Sequence, residues 1–320
     1  MSVRLVVGCA LLVALVACAA GGEVRVDGSS TVYPISLAVA EEFSILHPQA
    51  NVSVSFSGTG GGLSKLCNGE IDIAGASRVI EPSELATCAE NGIDVIELPI
   101  AADAITVVVH PDNDWVECLD LGELRAIWEP ASSVTNWSDV RTGWPAEEIV
   151  LFGPGTDSGT FDYFTEAVNG TPGATRTDFF PSEDDNVLVQ GVRSDRYALG
   201  YFGFAHYAEN TDAVRAVAVD GGAGCTLPKR ETIEANAYSP LSRPLFVYVA
   251  TTSLRKEAVA GLAAFYLGDE ASELVSGSGY VAYPAEVYRA ATARLQERVT
   301  GSAFLDFEPG DSVLEAVRAR

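Results

Sequence analysis

Apolar positions follow two alternating rhythms along this chain, a period of two over short stretches and a helical period over longer ones. "EVRVDG" reads as a strand, and after "SSTVYP" comes a helix with Ile35, Val39, Phe43 and Leu46 on one face. Pro34 suits its first turn, and "HPQAN" stops it. "NVSVSF" alternates as a strand, "GGGLSKLCNG" is a short helix entered through glycines, and "IDIAGA" is a strand. A helix near Pro82 to Cys88 leads to the strand "IDVIELPI". A second unit opens with "AITVVVH" and continues through the helix "LGELRAIWE" and the strand "EIVLFGP". Next comes "GPGTDSGTFDYF", whose Phe161, Phe164 and following Val168 keep helical spacing. "NVLVQGVRSD" and "ALGYFGF" carry the unit to about residue 245. "RPLFVYVATT" is strongly strand-like, and helices follow near 254–266 and 284–299. The pattern predicts an α/β fold with a discontinuous first lobe of residues 23–101 plus 250–320 and a second lobe of 102–249. There is no internal repeat or coiled-coil heptad.

The N-terminus stands apart from this rhythm. Arg4 precedes the apolar run Leu5 to Val16, which is too short for a membrane span and is followed by small residues, the pattern of a cleaved signal peptide. Leu15, Val16 and Ala17 before Cys18 resemble a bacterial lipobox, which implies a leader over residues 1–18 and lipidation of Cys18. Residues 19–22 are then a short tether. The alternative is an ordinary leader with an incidental cysteine. Export places Cys67, Cys88, Cys118 and Cys225 in an oxidising compartment, where an even set forms disulfides. Three connectivities are possible. Closeness in sequence favours Cys67 with Cys88, leaving Cys118 with Cys225. No CxxC or His-rich tract accompanies them, so no metal site is expected.

Of 320 residues, 48% are hydrophobic and 20% charged, a globular composition. The formal net charge of −24 argues against nucleic acid and anionic membrane surfaces as partners. It also repels small anions, so any anion site has to be built from local donors.

Such donors are concentrated in three segments, each between a strand and a helix: "DGSSTVYP" at 27–34, "SGTGGG" at 57–62 and "GPGTDSGT" at 153–160. A helix N-terminus has unpaired N–H groups and the positive end of the macrodipole, and glycine lets an oxyanion approach the backbone. Ser30, Thr31, Thr59, Ser158 and Thr160 add hydroxyls. Any one segment is explained by helix capping and turns alone; three at the same kind of junction point to a ligand. A fourth segment, "DIAGASR" at 72–78, ends in Ser77 and Arg78, and arginine suits a two-pronged grip on an oxyanion.

"DGSSTVYPI", "FSGTGGGLSKLCNGEIDIAGASR", "GPGTDSGTFDYF" and "ALGYFGFAHY" resemble, in order and spacing, the phosphate-binding proteins of the PstS type. The resemblance spans essentially the whole chain after the leader. It implies a two-lobed periplasmic-binding-protein-like (type II) fold, with a hinge and a ligand cleft between the lobes. It further implies capture of inorganic phosphate without catalysis or cofactor, and delivery to the permease subunits of an ABC importer. The receptor is expected to be a monomer, extracytoplasmic and anchored to the cell membrane by lipid. Carried over by position, Ser30, Thr31 and backbone Val32 contribute from the first motif, Thr59 from the second, and Ser158, Gly159 and Thr160 from the third. In one branch of the family the fourth segment ends in Asp, and an Arg lies shortly before the SGT. Here Arg78 takes the first place and Pro154 the second, so the cation is expected at Arg78 beside Ser77. Phosphate near neutral pH carries a proton and sulfate does not, so a buried acceptor facing sulfate is left unpaired. Asp157 is the candidate acceptor; as an N-cap carboxylate it would serve the following helix instead.

Other readings are a receptor for sulfate, molybdate or tungstate, and a secreted phosphohydrolase on the same cradle. The second lacks support: His47 and His110 precede prolines, His206 lies among aromatics, and no GxSxG or GxxxxGK motif is present.

Overall fold

The computed structural model describes residues 22–156, 158–308 and 310–319; Cys18, the leader, most of the tether and Asp157 lie outside them. Strands β1 (Glu23–Gly28), β2 (Asn51–Val54) and β3 (Ile73–Ala76) are parallel, with β1 between the other two. The crossovers carry helices α1 (Tyr33–Leu46) and α2 (Thr59–Cys67). Helix α3 (Pro82–Glu90) then leads to β4 (Val95–Val109), a 15-residue strand buried along its whole length. The two runs "IDVIELPI" and "AITVVVH", expected in different lobes, are therefore one continuous strand.

That strand joins the two halves of the molecule. Its first part pairs antiparallel with β12 (Ser242–Ala250), from Val95 opposite Ala250 to Ala104 opposite Ser242. From Ile105 onward it pairs with β8 (Ala198–Gly203). Between these come β5 (Cys118–Asp120), helix α4 (Leu121–Trp128), the single turn α5 (Trp137–Val140), β6 (Val150–Gly153) and helix α6 (Gly159–Asn169). The short strand β7 (Phe180–Pro181), helix α7 (Asp185–Ser194), β9 (Arg215–Ala216), β10 (Ala218–Asp220) and β11 (Cys225–Thr226) also belong to the second half, with short helices at Phe204–Ala208 and Arg230–Glu234. Among the described residues the main sheet runs β2-β1-β3-β12-β4-β8-β6-β7, and β5, β10 and β11 form a small separate sheet.

β12 also pairs with β3, through Phe246–Val249. The returning strand thus spans Ser242–Ala250, on both sides of the expected boundary at residue 249. β4 changes partner from β12 to β8 between Ala104 and Ile105, a few residues past the expected boundary at 101 and 102. Disulfides join Cys67 to Cys88 and Cys118 to Cys225, the pairing that sequence proximity favoured. The first links α2 to α3, and the second crosses the small sheet.

Candidate anion-binding cleft

Asp27, Ser57 and Lys65 set the first-lobe wall. The buried Asp27 carboxylate accepts from the Gly28 N–H at 2.7 Å, the Ser57 hydroxyl at 2.9 Å and Lys65 Nζ at 2.5 Å. Burial, the largest single influence on Asp27, pushes its pKa up, but the bonds from Lys65, Ser57 and Gly28 together hold it below the ordinary value. This ties the end of β1 to the Gly-rich entry of α2. Gly28 has φ +141°, and a Cβ there would lie 2.1 Å from the Gly75 oxygen; one on Gly62 would lie 2.4 Å from Gly28 Cα. Only glycines allow α2 to pack this closely on the strand ends. Thr59, the first residue of α2, then meets Ser77: their hydroxyl oxygens are 3.2 Å apart, and the Ser77 N–H donates to Thr59 Oγ1 at 3.2 Å.

The second-lobe wall is the start of α6. Ser158 caps it, its hydroxyl accepting from the Thr160 N–H at 3.2 Å. Phe164 packs inward, stacked on Tyr201 with ring centroids 3.7 Å apart and edge-on to Trp128. A Cβ on Gly159 would come within 3.2 Å of Thr31 Oγ1, so this helix start lies against the first motif across the cleft.

Between the walls lies a cavity of about 240 Å³. It is lined by Ser29, Ser30, Thr31, Gly58, Thr59 and Ser77 from one side and by Gly159, Asp162, Tyr163, Glu166 and Pro172 from the other. Arg243 also lines it. This arginine, on β12, sits directly opposite Asp103 on β4. Its Nε and one terminal nitrogen donate to Asp103 Oδ2 at 3.3 and 3.2 Å, and the same terminal nitrogen reaches Thr31 Oγ1 at 3.4 Å. The guanidinium lies 3.6 Å from the centre of the Tyr163 ring, whose hydroxyl donates to the Pro240 carbonyl at 2.7 Å. The other terminal nitrogen, Nη1, donates to no described residue. Both partners are largely buried. Burial pushes Asp103 above the ordinary carboxylate range, and Arg243 opposes that shift. Burial likewise raises Asp162 against the pull of Arg243.

Ser30, Thr31, Thr59, Ser77 and Gly159 thus come together from segments far apart in sequence. Other expected residues lie outside this lining. Arg78 does not line this cavity: both its terminal nitrogens donate to the Glu84 carboxylate at 2.9 Å, and it faces a neighbouring cavity that also touches Arg243. The cation that enters the cleft is Arg243. Val32 is fully buried, and its N–H closes the turn onto the Ser29 carbonyl at 3.2 Å. Ser158 and Thr160 bond each other at the helix cap and do not line the cavity.

Arg243, Asp103, Tyr163 and Asp162 escaped the sequence reading. A signal for the first two was present. Asp103 is a lone charge inside "IAADAITVVV", and Arg243 opens the apolar run "RPLFVYVA"; charges in strands this apolar require partners. Among the described residues no group of three or more His, Cys, Asp or Glu is placed to hold a metal ion, and no helix is long and apolar enough to cross a membrane.

A family model described as a PBP superfamily domain matches residues 17–270. Protein SphX of Synechocystis sp. is 46% identical over 296 residues, 92% of this chain and 87% of that protein. The phosphate-binding protein PstS of Staphylococcus aureus is 34% identical over 269 residues, covering 84% of this chain and 80% of its own. The crystal structure of a possible phosphate binding protein from Planctomyces limnophilus matches with a TM-score of 0.84 at 46% identity, over 87% of this chain and 99% of that one.

Proposed function

This chain belongs to the PBP superfamily and, within it, to the phosphate-binding proteins of the PstS type. On that premise we propose that it captures inorganic phosphate in the Arg243 cleft and hands it to an ABC importer. The observation that carries this reading is the convergence of first-wall hydroxyls, the N-termini of α2 and α6 and one arginine on a single small cavity. Ser30, Thr31, Thr59 and Ser77 offer hydroxyls, Gly159 an amide, and Arg243 its Nη1. Helix dipoles add positive potential without net charge, which answers the problem posed by a surface of −24. Asp162 and Glu166 face the same space as acceptors, so a protonated oxyanion has a place for its hydrogen and sulfate does not. The same role for Asp157 remains part of the proposal.

The lipobox-like segment supports anchoring through Cys18 at the outer face of the membrane, with the receptor acting there as a monomer. Closure of the lobes would bury the anion, and release would follow reopening at the permease.

Calorimetry on the full chain tests the reading. Phosphate is expected to bind with little competition from sulfate. Arg243→Gln is expected to weaken binding roughly 10- to 100-fold, the loss of a charged hydrogen bond contributing about 1.5–3 kcal/mol. Equal affinity for the two anions would remove the acceptor argument. Turnover of a chromogenic phosphate ester, abolished by a cleft substitution, would replace the receptor with a hydrolase.

A further inference from the structure

A carboxylate with no solvent exposure lies in the central strand pair, well away from Arg243. Glu97 on β4 is directly opposite Tyr248 on β12, and neither lines the cleft. Its oxygens accept from the Tyr248 hydroxyl at 2.7 Å, the Ser302 hydroxyl at 2.7 Å and the Ala303 N–H at 2.8 Å. Burial pushes the Glu97 carboxyl above its ordinary pKa while these hydrogen bonds oppose the shift, so its place in the core is costly and calls for a reason.

The direction of the Tyr248 hydrogen bonds supplies a reason. Its hydrogen is committed to Glu97, leaving the phenol oxygen as an acceptor, and the Ile80 N–H donates to it at 2.9 Å. Ile80 lies in the turn that leaves β3 directly after Ser77. On the other side, Arg78 holds the same turn by donating to the Val79 carbonyl and to Glu84. The turn is therefore pinned from beneath by Tyr248 and from outside by Arg78, and its first residue presents the Ser77–Thr59 pair to the cleft.

We propose that Tyr248, oriented by Glu97, is a positioning residue for anion binding, which holds the Ser77–Ile80 turn so that Ser77 and Thr59 face the cavity as one donor pair. This rests on the phosphate reading of the cleft. Glu97 matters because, as an acceptor, it fixes which way the phenol points its hydrogen: a glutamine turned to donate would leave that hydrogen without its partner and bring a second donor to the oxygen that Ile80 uses. The same carboxylate holds the segment at Ser302 and Ala303, so the C-terminal part of the chain bears on the cleft through two side chains.

A double-mutant cycle on the full chain, read by phosphate calorimetry, distinguishes positioning from general support. Tyr248→Phe is expected to weaken phosphate about five- to tenfold, and Ser77→Ala by a similar factor. The double variant is expected to be no more than about twofold weaker than Ser77→Ala alone. Multiplying effects, or Tyr248→Phe within twofold of wild type, would overturn the proposal. Absence of phosphate binding by the wild-type protein would instead defeat the phosphate reading. Hydrogen exchange provides a readout that needs no ligand: the Ile80 amide should exchange at least tenfold faster in Tyr248→Phe, with α7 amides unchanged. Uniform acceleration, or none at Ile80, would likewise overturn it.

Discussion

The two walls of the cleft are braced by different chemistry. Behind the first stand the Asp27–Lys65 pair, the Cys67–Cys88 disulfide and the Tyr248 hydroxyl, each holding a strand end, helix or turn that presents donors. Behind the second stand rings: Phe164 on Tyr201, and Trp128 against both. Directional bonds fix where individual donor atoms point, whereas ring packing fixes a helix as a body. The first wall therefore behaves as a preset arrangement of donors, and the second as a rigid unit that brings Gly159 up to it.

The largest expected effect tests the second wall. Phe164→Ala should lower unfolding stability by about 3–5 kcal/mol, as for deletion of a fully buried ring. Phosphate affinity of the protein that remains folded should change less than threefold. A large loss of affinity at unchanged stability, measured by denaturant titration beside calorimetry, would dissolve the distinction between the walls. Next in size is the first wall's covalent strut. Cys67→Ser with Cys88→Ser should lower stability by roughly 2–4 kcal/mol. The loss should be confined to the first lobe, so exchange rates of amides in α2 and α3 rise before those in α6. The smallest effect is a pH dependence. Asp27 is held below its ordinary pKa, so its contribution to stability is present above about pH 4 and is lost as pH falls through the lowered value. Asp27→Asn should flatten the acid limb of the stability profile and weaken phosphate severalfold. Asp103, shifted upward, acts in the opposite sense, its cost growing as pH rises through its raised pKa.

What the chain reveals before folding follows the same division. The donor-rich junctions around Ser30, Thr59 and Gly159 were legible because local rules govern them: glycine-permitted turns, helix starts and hydroxyl caps all occur within a few residues. The cystine pairs were legible because the expectation of an oxidising compartment and an even count leave few options. The cation was not legible. Arg78 had the local context of a ligand, yet Glu84 six residues later takes its guanidinium. Arg243 reaches the cleft only because β12 pairs with β4 across 140 residues of sequence, placing it opposite Asp103. Strand register over that separation is a tertiary outcome, and no short window of sequence contains it. The continuity of β4 was hidden for a related reason. The gap Ala101–Asp103 between the two runs looks like punctuation until the ion pair with Arg243 accommodates its one charge.

The position of β12 also constrains the order in which the molecule can be assembled. It lies between β3 and β4, yet among the described residues it is the last strand in sequence order. Until residue 250 has left the ribosome, β3 and β4 each lack a neighbour, and the nascent first lobe holds two open edges while the whole second lobe is being synthesised. The cleft therefore comes into existence only when this last-made strand inserts between its two partners.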